Sequence, residues 1–65
     1  MMTIAEAKAI LRPLGVTLRH TVGEFRVNLA GGKEATAYYT DDINDAVATG
    51  RAMAAAPPVR DMDRQ

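Results

Sequence analysis

A chain of 65 residues with no cysteine, one histidine and eight basic residues balanced by eight acidic ones makes one domain, close to the lower size limit at which an apolar core alone offsets chain entropy. The composition excludes disulfides and thiolate metal sites, His20 cannot hold a metal ion by itself, and zero net charge sets up no field toward a polyanion or an anionic membrane. Nothing approaches the roughly 20 apolar residues of a membrane span, so the expectation is a cytoplasmic protein that needs no cofactor and that gains stability by self-association.

The charge is split along the chain. Lys8, Arg12, Arg19, Arg26 and Lys33 outnumber Glu6, Glu24 and Glu34 in residues 1–35, and the balance reverses in residues 36–65, where three arginines face five aspartates. The resulting dipole is too small to diagnose a nucleic-acid partner.

Thr3-Ile4-Ala5-Glu6 has the form of a capping box and predicts a helix start. Ile4, Ala7, Leu11 and Leu14, with Ile10 beside them, recur at the spacing of a helix laid on a core. Pro13 disfavours helical geometry at Arg12 and loosens the last turn, and Gly15 supplies the stop.

From Val16 the period changes to two. Val16, Leu18 and His20 alternate with Thr17, Arg19 and Thr21; after Val22-Gly23, Phe25, Val27 and Leu29 alternate with Arg26, Asn28 and Ala30. Pairing Thr21 with Glu24 across a two-residue turn sets Leu18 opposite Val27 and Val16 opposite Leu29, although Val22 suits a primed turn poorly.

Gly31-Gly32 marks a second turn, whose length decides which face of the third strand is buried. A two-residue loop sets Val27 opposite Thr36 and Phe25 opposite Tyr38. A three- or five-residue loop, the preferred reading, puts Ala35, Ala37 and Tyr39 on the face of Phe25, Val27 and Leu29 and leaves Thr36 and Tyr38 on the other.

Thr40-Asp41-Asp42 opens a second helix, with a hydroxyl cap followed by carboxylates at the positive end of the helix dipole. Its apolar stripe is Ile43, Ala46, Val47, Gly50 and Met53 or Ala54. Gly50 implies a contact too tight for a side chain. Pro57-Pro58 ends the helix.

The expected fold is α+β: a two-layer α-β-β-β-α domain over residues 1–56, a three-stranded antiparallel sheet with both helices on one face, and a disordered tail over 57–65.

The other sheet face is expected in water and carries Thr17, Arg19, Arg26, Asn28, Thr36 and Tyr38, with Lys33 at the hairpin tip. Arginine and asparagine read base edges and an aromatic ring can stack a base, so Arg19, Arg26, Asn28, Lys33 and Tyr38 are candidate nucleic-acid contacts. The same residues are also ordinary occupants of a solvated sheet face. Asp41, Asp42 and Asp45 lack the converging geometry of a cation site. Gly31-Gly32-Lys33 joins two strands and so is no phosphate loop. His20 has no nucleophile near it in sequence. The second helix is rich in alanine, which suits either a close-packed partner or plain helix propensity.

The order of elements resembles the double-stranded RNA-binding domain over most of the chain, in topology alone. That family grips phosphates with lysines at the start of its second helix, and Asp41, Asp42 and Asp45 stand there in this chain, so the resemblance does not carry duplex binding with it. The segments GGKEATAYYTDD and NDAV resemble short proteins of proteobacteria and their phage or plasmid insertions, which implies a bacterial source and no activity. The functional expectation is a small non-enzymatic accessory module that binds nucleic acid or regulates through the open sheet face. The rival is a protein-interaction module or homodimer built on the alanine-rich helix or a sheet edge. Neither a membrane nor a small-molecule substrate is expected.

Overall fold

The computed structural model describes residues 1–55; the expected helix stop at Pro57-Pro58 and the expected tail over 57–65 lie outside the described residues. Helix α1 spans Ile4–Leu11 and begins with the full capping box: the Glu6 amide donates to Thr3 Oγ1 at 3.1 Å and the Thr3 amide donates to Glu6 Oε1 at 2.8 Å. Arg12 keeps right-handed helical angles despite the proline after it, contrary to expectation. Pro13 is used instead in a 3-10 turn, Arg12–Leu14, closed by Gly15 at φ 77°. That turn rotates Leu14 off the α1 stripe, so Leu14 is 44% exposed while Ala7 and Leu11 are fully buried.

Strands β1 (Val16–Thr21) and β2 (Glu24–Leu29) pair in the expected register, with Val16 opposite Leu29, Leu18 opposite Val27 and Arg19 opposite Arg26. Their link is the two-residue turn Val22-Gly23. Gly23 has φ 70° and no non-glycine residue among those described has positive φ, the sign pattern of a type II turn; Val22 therefore never enters the geometry it disfavours.

Strand β3 (Tyr38–Thr40) corrects the preferred loop parity. Val27 pairs with Tyr38, Arg26 with Tyr39 and Phe25 with Thr40, so Tyr38 shares the helix-side face and Tyr39 the other. The parity is that of the two-residue alternative, but pairing slides by two residues because residues 30–37 form a longer connection with a 3-10 turn at Glu34–Thr36. Ala35 and Ala37 therefore belong to the connection, outside the strand.

Helix α2 (Ile43–Ala55) starts two residues later than expected. Asp42 is its cap, accepting from the Asn44 amide at 2.9 Å, while Thr40 Oγ1 accepts from the Asp42 amide at 3.2 Å. Both helices cover one sheet face, and one core joins Ala7 and Leu11 of α1, Val16, Leu18 and Val27 of the sheet, and Ala46 and Val47 of α2. Gly50 packs directly against both α1 and β1: a Cβ there would lie 2.6 Å from Leu11 Cδ2 and 3.2 Å from Val16 Cγ1.

Candidate functional site

The sheet face away from the helices is not an open platform. The β2–β3 connection folds over it and is fastened to Asn28, which is 1% exposed. Asn28 Nδ2 donates to the Lys33 carbonyl at 3.0 Å; its Oδ1 accepts from the Leu29 amide at 2.9 Å and from the Thr36 hydroxyl at 2.7 Å. Thr17 Oγ1 donates to the Asn28 carbonyl at 3.1 Å. Gly32 sits against this amide so closely that a Cβ there would lie 2.6 Å from Asn28 Oδ1. An asparagine so buried, with both Oδ1 lone pairs and one amide N–H engaged, cannot make the donor-and-acceptor pair of bonds that reads a base edge.

Arg26, the next candidate on that face, donates from Nη2 to Glu34 Oε1 at 2.8 Å and from Nε to the Tyr39 hydroxyl at 3.3 Å, and the Tyr39 hydroxyl donates to the other Glu34 oxygen. The Tyr39 and Arg26 hydrogen bonds hold the Glu34 carboxyl below its ordinary value of 4.5, and Glu34 together with Tyr39 raises Arg26. A depressed carboxyl stabilises the fold above its ordinary pKa, and that contribution is lost as pH falls through the folded value. Acid titration should therefore show wild-type stability falling below about pH 4.5 by more than in Glu34→Gln. Parallel curves for the two proteins, followed by circular dichroism in urea, would dismiss the ion pair as a contributor.

Tyr38, expected beside Arg26 on the open face, lies across the sheet from it. Its hydroxyl donates to Asp45 Oδ2 of α2 at 2.7 Å, which raises the phenol above its ordinary value. Of the five candidate contacts, Arg19 and Lys33 are exposed without a side-chain ion pair among the described residues, Arg26 is paired, Asn28 is buried and Tyr38 is on the other face. His20 is exposed and stacks on Phe25, ring centroids 4.6 Å apart and 20° from parallel. Asp42 and Asp45 are occupied by the cap and by Tyr38. In α2, Ala46 is core and Ala54 packs against it, leaving Ala48, Ala52 and Ala55 on the exposed side.

The sheet order β1-β2-β3 leaves two edges. The β3 edge is three residues long. The β1 edge is six. Just outside the paired strands the Ala30 amide donates to the Gly15 carbonyl at 2.8 Å, and at the other end Thr21 and Glu24 flank the two-residue turn. Alternation then makes Thr17 and Arg19 the hydrogen-bonded partners of β2 and turns the N–H and C=O groups of Val16, Leu18 and His20 outward. Among the described residues, no hydrogen bond to those outward groups is found. Val16 and Leu18 are nonetheless only 4% and 5% exposed, because α1 borders this edge. Lys8 of α1 and Arg12 at its C-terminal cap line, with Gly15–Leu18 and Ala30, a cleft of about 240 Å³ alongside it.

Comparison of the chain with models of known families, with curated proteins and with solved structures finds no match in any of the three. The site is therefore read from its own geometry. Sequence reasoning named a strand edge only in general terms. The alternation that selects Val16, Leu18 and His20 was present in the register, but the approach of Lys8 and Arg12 depends on how α1 crosses β1.

A second cleft, about 670 Å³, lies where both helices begin, between Met1, Met2, Ile4, Phe25 and Ile43 with Asp41 and Asp42 on its rim. The helix-start amides of Glu6 and Asn44 there are taken by Thr3 and Asp42.

Proposed function

We propose that this chain is a non-catalytic protein-interaction module that takes up an extended segment of another polypeptide along the free edge of β1. The observation that carries this reading is the run of outward backbone groups at Val16, Leu18 and His20, which meet no hydrogen-bond partner among the described residues. Such a row is a template for strand addition, in which main-chain hydrogen bonds supply affinity. The β3 edge is a poorer template, since three residues offer one outward pair at Tyr39. The nucleic-acid reading has less behind it, because Arg26, Asn28 and Tyr38 are each engaged within the domain.

A pair of amide-resolved titrations tests the proposal. A strand-forming peptide is expected to shift and protect the amides of Val16, Leu18 and His20 while leaving Thr17 and Arg19 as they were. His20→Pro removes one outward donor at a position where an edge strand tolerates proline, and should weaken the peptide without unpairing β1 from β2. Single- and double-stranded oligonucleotides at low salt, where phosphate contacts are strongest, should give no saturable shifts. Saturable shifts at Arg19 and Lys33 with oligonucleotide, and none along β1 with peptide, would overturn it.

A further inference from the structure

Accepting the β1 edge as the binding strand, we infer that its partner is an acidic extended segment with carboxylates at alternate positions, of the form Asp/Glu-x-Asp/Glu. The inference rests on the strand-addition reading and adds the partner's chemistry to it.

The argument starts from what guards the edge. Lys8 of α1 and Arg12, the cap residue that follows it with helical angles, are both exposed and line the cleft beside Val16 and Leu18. Neither makes a salt bridge or a side-chain hydrogen bond among the described residues. They are four positions apart in the sequence, so they stand on one face of α1 about 6 Å apart along its axis. A strand added beside β1 presents every second side chain to the helix side, and those side chains repeat at roughly 6.6–6.8 Å. Two carboxylates at positions i and i+2 of the incoming segment therefore meet the two cations in step. The match requires α1 to run along the edge, and the cleft that Lys8 and Arg12 line together with Gly15–Leu18 is where the two would meet.

Charge also selects between kinds of partner. A second copy of this chain pairing edge to edge would bring its own Lys8, Arg12 and Arg19 against the same three residues, and like charges across a shared edge oppose pairing. A basic segment meets the same repulsion. Lys8 and Arg12 accordingly act on the edge in two ways: with no partner present they set two cations in the cleft beside Val16 and Leu18, and when an acidic strand arrives they enter ion pairs with it. Lysine beside a free edge is a common protection against unwanted pairing, and the ion-pair step makes that protection selective.

The test uses the full chain and three capped peptides of equal length with alternating valine: one with glutamate and aspartate at the intervening positions, one with threonine and one with lysine. The chain's own Asp61-Met62-Asp63 has the same spacing, so the Asp61→Asn/Asp63→Asn chain is titrated beside the wild type. In either chain the acidic peptide is expected to bind roughly 3- to 30-fold more tightly than the threonine peptide at low salt, as two exposed ion pairs allow, with the preference shrinking as salt rises. The lysine peptide should be weakest. Lys8→Glu/Arg12→Glu should reverse the order of the acidic and lysine peptides, and Lys8→Gln/Arg12→Gln, which leaves less net acidity on α1, should level it. Equal protection of the Val16, Leu18 and His20 amides by all three peptides would overturn the acidic preference while leaving strand addition in place. No protection by any peptide would remove strand addition itself.

Discussion

Replacing Asn28 by alanine is expected to lower the unfolding free energy by about 2–3 kcal/mol, read as a shift of the urea midpoint at unchanged slope. The side chain is 1% exposed and serves the Lys33 carbonyl, the Leu29 amide and the Thr36 hydroxyl together. Alanine removes all three bonds and leaves the Leu29 amide and Lys33 carbonyl without that partner. A domain of this size has only about 3–10 kcal/mol in total, so the loss is a large share of it. Asn28→Asp should cost more at neutral pH, since a buried carboxylate would face the Lys33 carbonyl, and should recover part of the loss as acid protonates it. The signature is a variant less stable than Asn28→Ala near neutrality that gains on it toward pH 4–5. A loss below about 0.5 kcal/mol for alanine would mean that the β2–β3 connection is not fastened to the sheet in this way.

The second large effect lies where α2 meets α1. Leu11 is fully buried and its Cδ2 stands 2.6 Å from where a Cβ on Gly50 would be. Leu11→Ala should cost about 2–5 kcal/mol through lost burial and a cavity, and Gly50→Val about 1–3 kcal/mol through overpacking. The double variant should be less damaged than the two losses added, by about 1–2 kcal/mol, because the valine occupies space the leucine has left. Since Leu11→Ala alone consumes much of the available stability, the cycle is best measured in a stabilising osmolyte. Strict additivity would contradict the packing. Gly50→Ala is a milder case, in which better helix propensity, worth about 1 kcal/mol, offsets part of the clash.

Much of this architecture was legible from local signals. The Thr3 and Glu6 capping box, the Gly15 stop, the β1–β2 register and the Gly50 contact each follow from residue chemistry acting within a few positions or across one turn. Two features did not follow. The third strand slid because Gly31-Gly32 reads as a tight hairpin, whereas Glu34-Ala35-Thr36 forms a 3-10 turn held from outside by Asn28 and Arg26. With tyrosine at both 38 and 39, hydrophobicity could not arbitrate between the faces. A signal was present in Asn28 itself, since asparagine is disfavoured inside strands and tends to bond nearby backbone. A mid-strand asparagine followed by two glycines points to a connection folding back on its own strand. For the candidate interface, the expectation of a polar sheet face rested on Tyr38 pointing outward, and it lost its aromatic member when the pairing placed that ring beside α2. The basic pair Lys8 and Arg12 was visible as a helical i, i+4 spacing, but nothing local in the sequence says that this side of α1 borders β1.

Residue-resolved amide exchange along β1 in the free chain tests the central claim, a six-residue edge whose backbone groups alternate between paired and outward. Thr17, Arg19 and Thr21 should be protected by β2, and Val16, Leu18 and His20 should exchange faster than these neighbours although two of them are shielded by α1. Uniform protection across Val16–Thr21, or protection in the opposite phase, would contradict it, since either result requires that another chain segment already pairs with this edge or that β1 sits one residue out of register.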